Sequence, residues 1–244
     1  VPDVTCIPVS ALNGDNVVHR SDKMPWYEGV PLLYHLEHVH IASDRNLIDM
    51  RFPVQLVIRP FSDEHHDYRG YAGQLAGGVM KPGDDVLALP SGFQTRIKAV
   101  DAFGRALAQA FPPMSVIVRL EDDIDVSRGD MLCRPHNQPS MGQDLEVMLC
   151  WLSETPLNVG GRYALKHTTR GARALIKELR YKLNVNTLHR DETAGTLTLN
   201  EIGRASLRTT VPLFYDQYRR NRTTGSLILI DEATNNTVAA AMIL

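Results

Sequence analysis

The side chains of this 244-residue chain that could do chemistry fall in four places. His35, His38 and His40 include an i, i+3 pair, the spacing that puts imidazoles on one helical face and lets them share a metal. No cysteine or carboxylate at ligand spacing completes such a set, so a solvated helix face is expected. His65-His66-Asp67 lies in a polar stretch with the same shortage. Glu121, Asp122, Asp123 and Asp125 could form an acid–base pair or bind a hard cation. They precede the turn Ser127-Arg128-Gly129-Asp130 and lack calcium-loop spacing, which favours a solvated turn. From Arg162 to Arg190 there are eight Lys and Arg residues against Glu178 alone, a surplus of seven positive charges. Such a strip either meets an anionic partner or is an ordinary solvated sheet face. The chain contains no G-x-x-x-x-G-K-[ST] loop, G-x-S-x-G elbow or H-E-x-x-H helix, so no catalytic residue and no metal ligand is assigned.

The elements that must carry these residues change character along the chain. β-branched residues at 4–9 read as a short buried strand, ended by the turn formers Ser10-Ala11-Leu12-Asn13-Gly14-Asp15-Asn16. Leu32, Leu33 and Leu36 share a face behind Pro31 and predict an amphipathic helix over 31–39. Beyond Arg51 helical periodicity gives way to short β-rich runs at 52–59, 68–76, 85–89, 95–100 and 114–120, separated by Gly- and Pro-containing turns. A linker is expected over 134–142, then a second β set at 145–152, 162–168, 172–179, 196–199, 205–211 and 226–230. The expected fold is mainly β: a βα remnant of an α/β domain followed by two small β-barrels.

Composition bounds the function. With 26 Lys and Arg against 28 Asp and Glu the formal charge is −2, which disfavours whole-chain nucleic-acid binding. Hydrophobic residues at 43% and charged residues at 22% suit a folded globular chain rather than a disordered one. The longest apolar run, 238–244, is far short of the roughly 20 residues that span a bilayer, so no membrane association is expected. Cys6, Cys133 and Cys150 are odd in number and include no C-x-x-C, which fits a reducing cytoplasm. Both ends are apolar, and the expectation is a fragment of a longer protein.

Ile7-Pro8-Val9-Ser10-Ala11-Leu12-Asn13-Gly14-Asp15-Asn16, with Met24-Pro25-Trp26-Tyr27 after it, resembles the end of the G domain of translational GTPases, elongation factor 1A especially. Ser10-Ala11-Leu12 resembles the fifth guanine-nucleotide motif. By that resemblance the backbone N–H of Ala11, with that of Leu12, faces guanine O6 while Ser10 braces the loop. Asp44-Arg45-Asn46, Arg51-Phe52-Pro53-Val54-Gln55, Asp67-Tyr68-Arg69-Gly70-Tyr71-Ala72-Gly73 and Leu89-Pro90-Ser91-Gly92 are similar to the large, GTPase subunit of bacterial ATP sulfurylase. So are Asn200-Glu201-Ile202-Gly203, Asp216-Gln217-Tyr218, Asn221-Arg222-Thr223-Thr224-Gly225 and the run from Ile230-Asp231 through Thr234-Asn235.

The resemblance implies the end of a GTPase domain at 1–46 and translation-factor-like barrels at 47–138 and 139–244. It implies a parent protein that uses GTP and Mg²⁺ and couples GTP hydrolysis to adenylation of sulfate by a separate small catalytic subunit. In some relatives an adenylylsulfate kinase domain follows. This sequence lacks the phosphate loop, the switch segments and the Asn-Lys-x-Asp motif, so alone it is expected not to hydrolyse GTP. The competing reading is a fragment of a translation elongation factor whose barrels grip aminoacyl-tRNA, with the basic strip as its support.

Overall fold

The structure, a computed structural model, describes residues 5–39, 45–60 and 68–244. His40, Asp44 and His65-His66-Asp67 lie outside the described residues. The chain divides into two units, Val1–Asp44 and Arg45–Leu244.

In the first unit the helix expected at 31–39 forms as α1 (Leu32–His38). Pro31 stands just outside the first turn in an extended conformation, and its carbonyl accepts the His35 N–H at 3.0 Å. No residue of α1 is buried, Leu33 and Leu36 included. The buried strand expected at 4–9 does not form among the described residues. Residues 5–9 join no ladder and none of them is buried. β-branched composition yields a strand only where a neighbour pairs its backbone groups, and no described strand runs beside these residues.

The second unit is two closed antiparallel barrels. The first comprises β1 (Arg51–Ile58), β2 (Gly70–Gln74), β3 (Asp85–Leu89), β4 (Phe93–Ala102), β5 (Arg105–Ala106), β6 (Ser115–Leu120) and β7 (Met131–Cys133). Its ring runs β3-β7-β1-β2-β6-β4 and closes by β4 on β3, with β5 folded back on β4. The second comprises β8 (Ser140–Trp151), β9 (Arg162–His167), β10 (Arg170–Leu183), β11 (Arg190–Asp191), β12 (Ile202–Tyr215), β13 (Ser226–Ile230) and β14 (Thr237–Ile243). Its ring runs β10-β12-β8-β14-β13-β9 and closes by β9 on β10, with β11 on the end of β10. Closure leaves few unpaired strand edges to solvent.

Alternation fills each interior. In β8, Leu145, Val147, Leu149 and Trp151 point inward while Glu146, Met148 and Cys150 do not. The first core gathers Phe52, Val54, Tyr71, Ile97, Val100 and Val118; the second gathers Trp151 with Leu165, Ile176, Leu207 and Leu229. Strands at 85–89 and 226–230 form where expected. β7 and β14 had no counterpart in the expected runs, although β14 is the apolar stretch that ends the sequence. Residues 196–199 are not a strand: Leu197 is fully buried, but it is held by a two-bond contact, Leu157 N–H to Leu197 O at 2.9 Å and Thr196 Oγ1 to Leu157 O at 2.6 Å. The linker is shorter than expected, because β8 already begins at Ser140.

Trp151 anchors the second core, edge-on to Tyr163 with ring centroids 5.7 Å apart and its Nε1–H donating to Thr155 O at 2.8 Å. Trp151→Ala is expected to cost about 3–5 kcal/mol, read as a lowered urea midpoint; a midpoint unchanged from the parent chain would contradict this packing.

Candidate functional site

Ser10 and Asp15 close a tight loop, the Ser10 N–H donating to the Asp15 carbonyl at 3.1 Å. Ser10 Oγ accepts the Asn13 N–H at 3.4 Å, so the hydroxyl sits inside the loop and braces it. Ala11 and Leu12 are exposed, Leu12 to 95%. Their backbone N–H groups donate to no acceptor among the described residues. Among the described residues the loop therefore presents two consecutive unpaired donors.

Its position is set by a residue to which the sequence reading gave no role of its own. Asn16 is buried and left-handed, φ +55°. Its Nδ2 donates to Pro8 O at 3.0 Å and lies 3.2 Å from Met24 Sδ, while its Oδ1 accepts the Ser21 N–H at 2.8 Å. Its carbonyl accepts the Leu32 N–H at 2.9 Å. One side chain and its carbonyl thus tie the entry to the loop, the segment at 21–24 and the start of α1. The available signal was an Asn directly after Gly-Asp, since Asn tolerates the left-handed region better than most residues.

In the second unit the polar residues converge on the seam between the barrels. Arg51, at 0% exposure, spends all five guanidinium N–H groups. Nε and Nη2 grip Asp216 at 2.9 Å each, Nη1 donates to Met50 O at 3.0 Å and Asn137 O at 2.7 Å, and Nη2 also reaches Asn137 Oδ1 at 3.2 Å. Asp216 accepts a further bond from Thr224 Oγ1 at 2.8 Å. Beside this pair, buried Asp49 accepts from Arg220 Nε and Nη2 at 2.7 and 2.6 Å, Asn137 Nδ2 at 2.7 Å and Asn46 Nδ2 at 2.5 Å. The Arg220 bonds above all, with those of Asn46 and Asn137, hold the Asp49 carboxyl far below the usual carboxylate range against the opposing effect of burial. Asn221 Nδ2 reaches Ala76 O at 3.0 Å. His167 Nε2 lies 2.7 Å from Thr224 O; a carbonyl only accepts, so Nε2 carries the proton, and burial pushes the imidazole pKa down.

The other chemical candidates resolve into structure. Part of the basic strip is paired in place: Asp144 on β8 takes Lys177 together with Arg208 of β12, and Glu146 takes Arg180 together with Arg204 of β12. Lys182 pairs with Glu201 and Arg173 with Glu232. Asp123 and Asp125 pair with Arg69. His38 stacks on Tyr34, and its Nδ1 lies 2.8 Å from the Tyr34 carbonyl. Cys133 is buried, its thiol pushed up to about 11 by burial, and so is a poor nucleophile. A groove of about 710 Å³ at the seam, bordered by Leu56, Phe103, Ile117 and Thr169, holds one carboxylate, Asp101, which pairs with Arg119. Among the described residues no three His, Cys, Asp or Glu side chains converge as a metal would require, and no helix is long and apolar enough to cross a membrane.

Arg51→Met is expected to destabilise the chain by about 3–5 kcal/mol, because it strands Asp216 in a buried site. Arg51→Met with Asp216→Leu should recover most of that loss in urea denaturation, and equal stability of the single and double variants would contradict the pairing. Asp49 has a depressed folded pKa, so its contribution is complete above the unfolded value and is lost as pH falls below about 4. Asp49→Asn should flatten the acid limb of the stability–pH curve; an unchanged limb would mean that Asp49 is not the group titrating.

Comparison with known proteins places these features. Residues 144–244 match the GTP-eEF1A C-terminal domain-like family. Over its whole length the chain is 60% identical to the bifunctional enzyme CysN/CysC of Mycobacterium tuberculosis, covering 40% of that protein. It is 49% identical to sulfate adenylyltransferase subunit 1 of Bacteroides fragilis, covering 50% of it, and 48% identical to CysN/CysC of Rhodopirellula baltica, covering 37%. A solved structure of sup35 complexed with GMPPNP shares the fold with a TM-score of 0.73 at 21% identity, over 97% of this chain and 57% of that one. The chain spans about half the length, or less, of the curated relatives it matches. From its first residue to its last, it is homologous to the sulfate adenylyltransferase subunit 1 family, the CysN/CysC fusion form included.

Proposed function

We propose that this chain is part of the GTP-hydrolysing regulatory subunit of sulfate adenylyltransferase, which couples GTP hydrolysis to the ATP-dependent adenylation of sulfate on a small catalytic subunit. The observation that carries the reading is the pair of exposed, unpaired N–H groups at Ala11 and Leu12, in a chain 60% identical to a CysN/CysC enzyme. Guanine O6 is an acceptor and suits a backbone donor; adenine carries an amino donor at that position, so the same loop would disfavour it. Ser10, Ala11 and Leu12 would hold the base edge in this way. The phosphates and Mg²⁺ would be held by parts of the parent protein outside this chain, which contains no phosphate loop. In this reading 1–46 ends the GTPase domain, and 47–138 and 139–244 are the two barrel domains. The partners are the rest of the G domain, the catalytic subunit and, in fused forms, an adenylylsulfate kinase, all in the cytoplasm. The translation-factor alternative loses part of its support, because Arg173, Lys177, Arg180 and Lys182 of the basic strip are paired with carboxylates within the second barrel.

The test uses a chimera in which this chain replaces the matching part of the Mycobacterium tuberculosis relative. Ala11→Pro removes one donor and is expected to weaken GDP binding about tenfold, the equivalent of roughly 1.4 kcal/mol; Leu12→Ala keeps its N–H and should bind nearly as the parent. A 2-aminopurine nucleotide, which lacks O6, should bind the parent chimera as weakly as GDP binds Ala11→Pro. Equal affinity for the two nucleotides would remove the guanine loop from the reading.

A further inference from the structure

We propose that Asn13 is a site of spontaneous covalent modification, at which its side-chain amide cyclises onto the Gly14 nitrogen and reopens as aspartate or isoaspartate. The reaction needs a free amide, a following backbone nitrogen that is not engaged in a hydrogen bond, and no side chain on that residue to block the approach. Asn13 is exposed, and among the described residues only its backbone N–H is engaged, on Ser10 Oγ. The Gly14 N–H donates to no acceptor among the described residues. At Gly14 (φ +74°) nothing lies within 4 Å of the place a Cβ would occupy.

No other asparagine in the sequence precedes glycine. The amides of Asn16, Asn137 and Asn221 are engaged in the loop and the barrel seam. Asn235 is exposed, but its neighbour Asn236 carries a side chain.

In the first step the Gly14 nitrogen loses its proton to solvent and attacks Asn13 Cγ. The N–Cγ bond forms, the Cγ–Nδ2 bond breaks and ammonia leaves with a solvent proton, giving a cyclic imide. Water then adds to either imide carbonyl and the ring opens. The sum is amide plus water to carboxylate plus ammonium, with no change of oxidation state. The product adds a negative charge two residues from Ala11, and as isoaspartate it lengthens the backbone inside the loop closed by Ser10 and Asp15. On the guanine-loop reading, on which this consequence rests, that charge opposes an O6 acceptor and guanine affinity falls.

The test ages the 244-residue chain in mildly alkaline buffer at body temperature, labels isoaspartate with an isoaspartyl methyltransferase and maps the label by peptide mass spectrometry. The peptide spanning Asn13-Gly14 is expected to gain label about tenfold faster than that spanning Asn235-Asn236, because only the first lacks a Cβ at the attacking residue. Asn13→Gln, whose longer side chain closes a less favourable ring, should lose the fast signal. Label accumulating no faster at Asn13 than at Asn235 overturns the proposal. In a second arm, fresh and aged chimera are titrated with GDP. Isoaspartate at Asn13 with lowered affinity supports both the modification and its consequence; isoaspartate with unchanged affinity leaves the modification standing and counts against the guanine loop.

Discussion

The second unit depends on one constraint: two carboxylates and one fully buried guanidinium sit where the barrels meet, and none of them can be left without a partner. Removing such charges from water costs several kcal/mol per ion, recovered only when geometry and hydrogen bonding are complete. Arg51 meets that condition with five bonds, and Asp49 with four that join residues 46, 49, 137 and 220. These bonds have direction. An apolar seam would tolerate sliding, whereas a bidentate Arg51–Asp216 pair beside a bidentate Asp49–Arg220 pair admits one arrangement of β1 against the segment following β12. Close packing adds to this: a Cβ on Gly77 would stand 2.5 Å from Asp49 O and 2.8 Å from Asn221 Nδ2, so the backbone at Asp49 and the Asn221 side chain of the second barrel leave no room for a side chain there.

This explains which sequence motifs spoke most clearly of family. Asn46, Arg51, Asp216, Asn221 and Thr224 are polar, stand out in an otherwise alternating pattern, and carry no recognisable chemistry. Their meaning is joint: Asn46, Arg51, Asp216 and Asn221 each bond a group more than 80 residues away, as Arg51 with Asp216 and Asn221 with Ala76, while Thr224 bonds Asp216 and so joins the same cluster. The barrel strands were legible because alternation and turn residues are local signals, and the helix was legible from three leucines. The pairing of charges was not, since it depends on ladders that a linear reading does not contain.

The basic strip shows the same limit from the other side. A count along 162–190 finds seven surplus charges, yet in an antiparallel barrel the neighbours of β10 come from distant sequence. β12 lies beside it and β8 beyond, and Asp144 and Glu146 on β8 each bind one cation from β10 and one from β12. The strip therefore belongs to a mixed surface, in which Asp144 and Glu146 lie 33 and 34 residues before the Lys177 and Arg180 that they bind. Exposed pairs of this kind contribute little to stability, and they reduce the positive field of the strip without cancelling it, because each of these two carboxylates faces two cations.

The first unit follows a different logic, which explains why a search for reactive side chains passes over it. Its candidate site is made of backbone N–H groups on Ala11 and Leu12, and any residue but proline supplies one. Side-chain identity matters instead at the supports: Ser10 for an oxygen inside the loop, and Asn16 for a side chain that donates and accepts while tolerating a left-handed backbone. A donor fixed this way needs no reorganisation when an acceptor arrives, and it distinguishes an exocyclic carbonyl oxygen from an exocyclic amine by the direction of one hydrogen bond. The exposure that makes those donors available also leaves Asn13 and Gly14 unprotected. In a loop held closed at Ser10 and Asp15 and steadied from outside by Asn16, the proposed recognition and the proposed chemical vulnerability would have the same physical source.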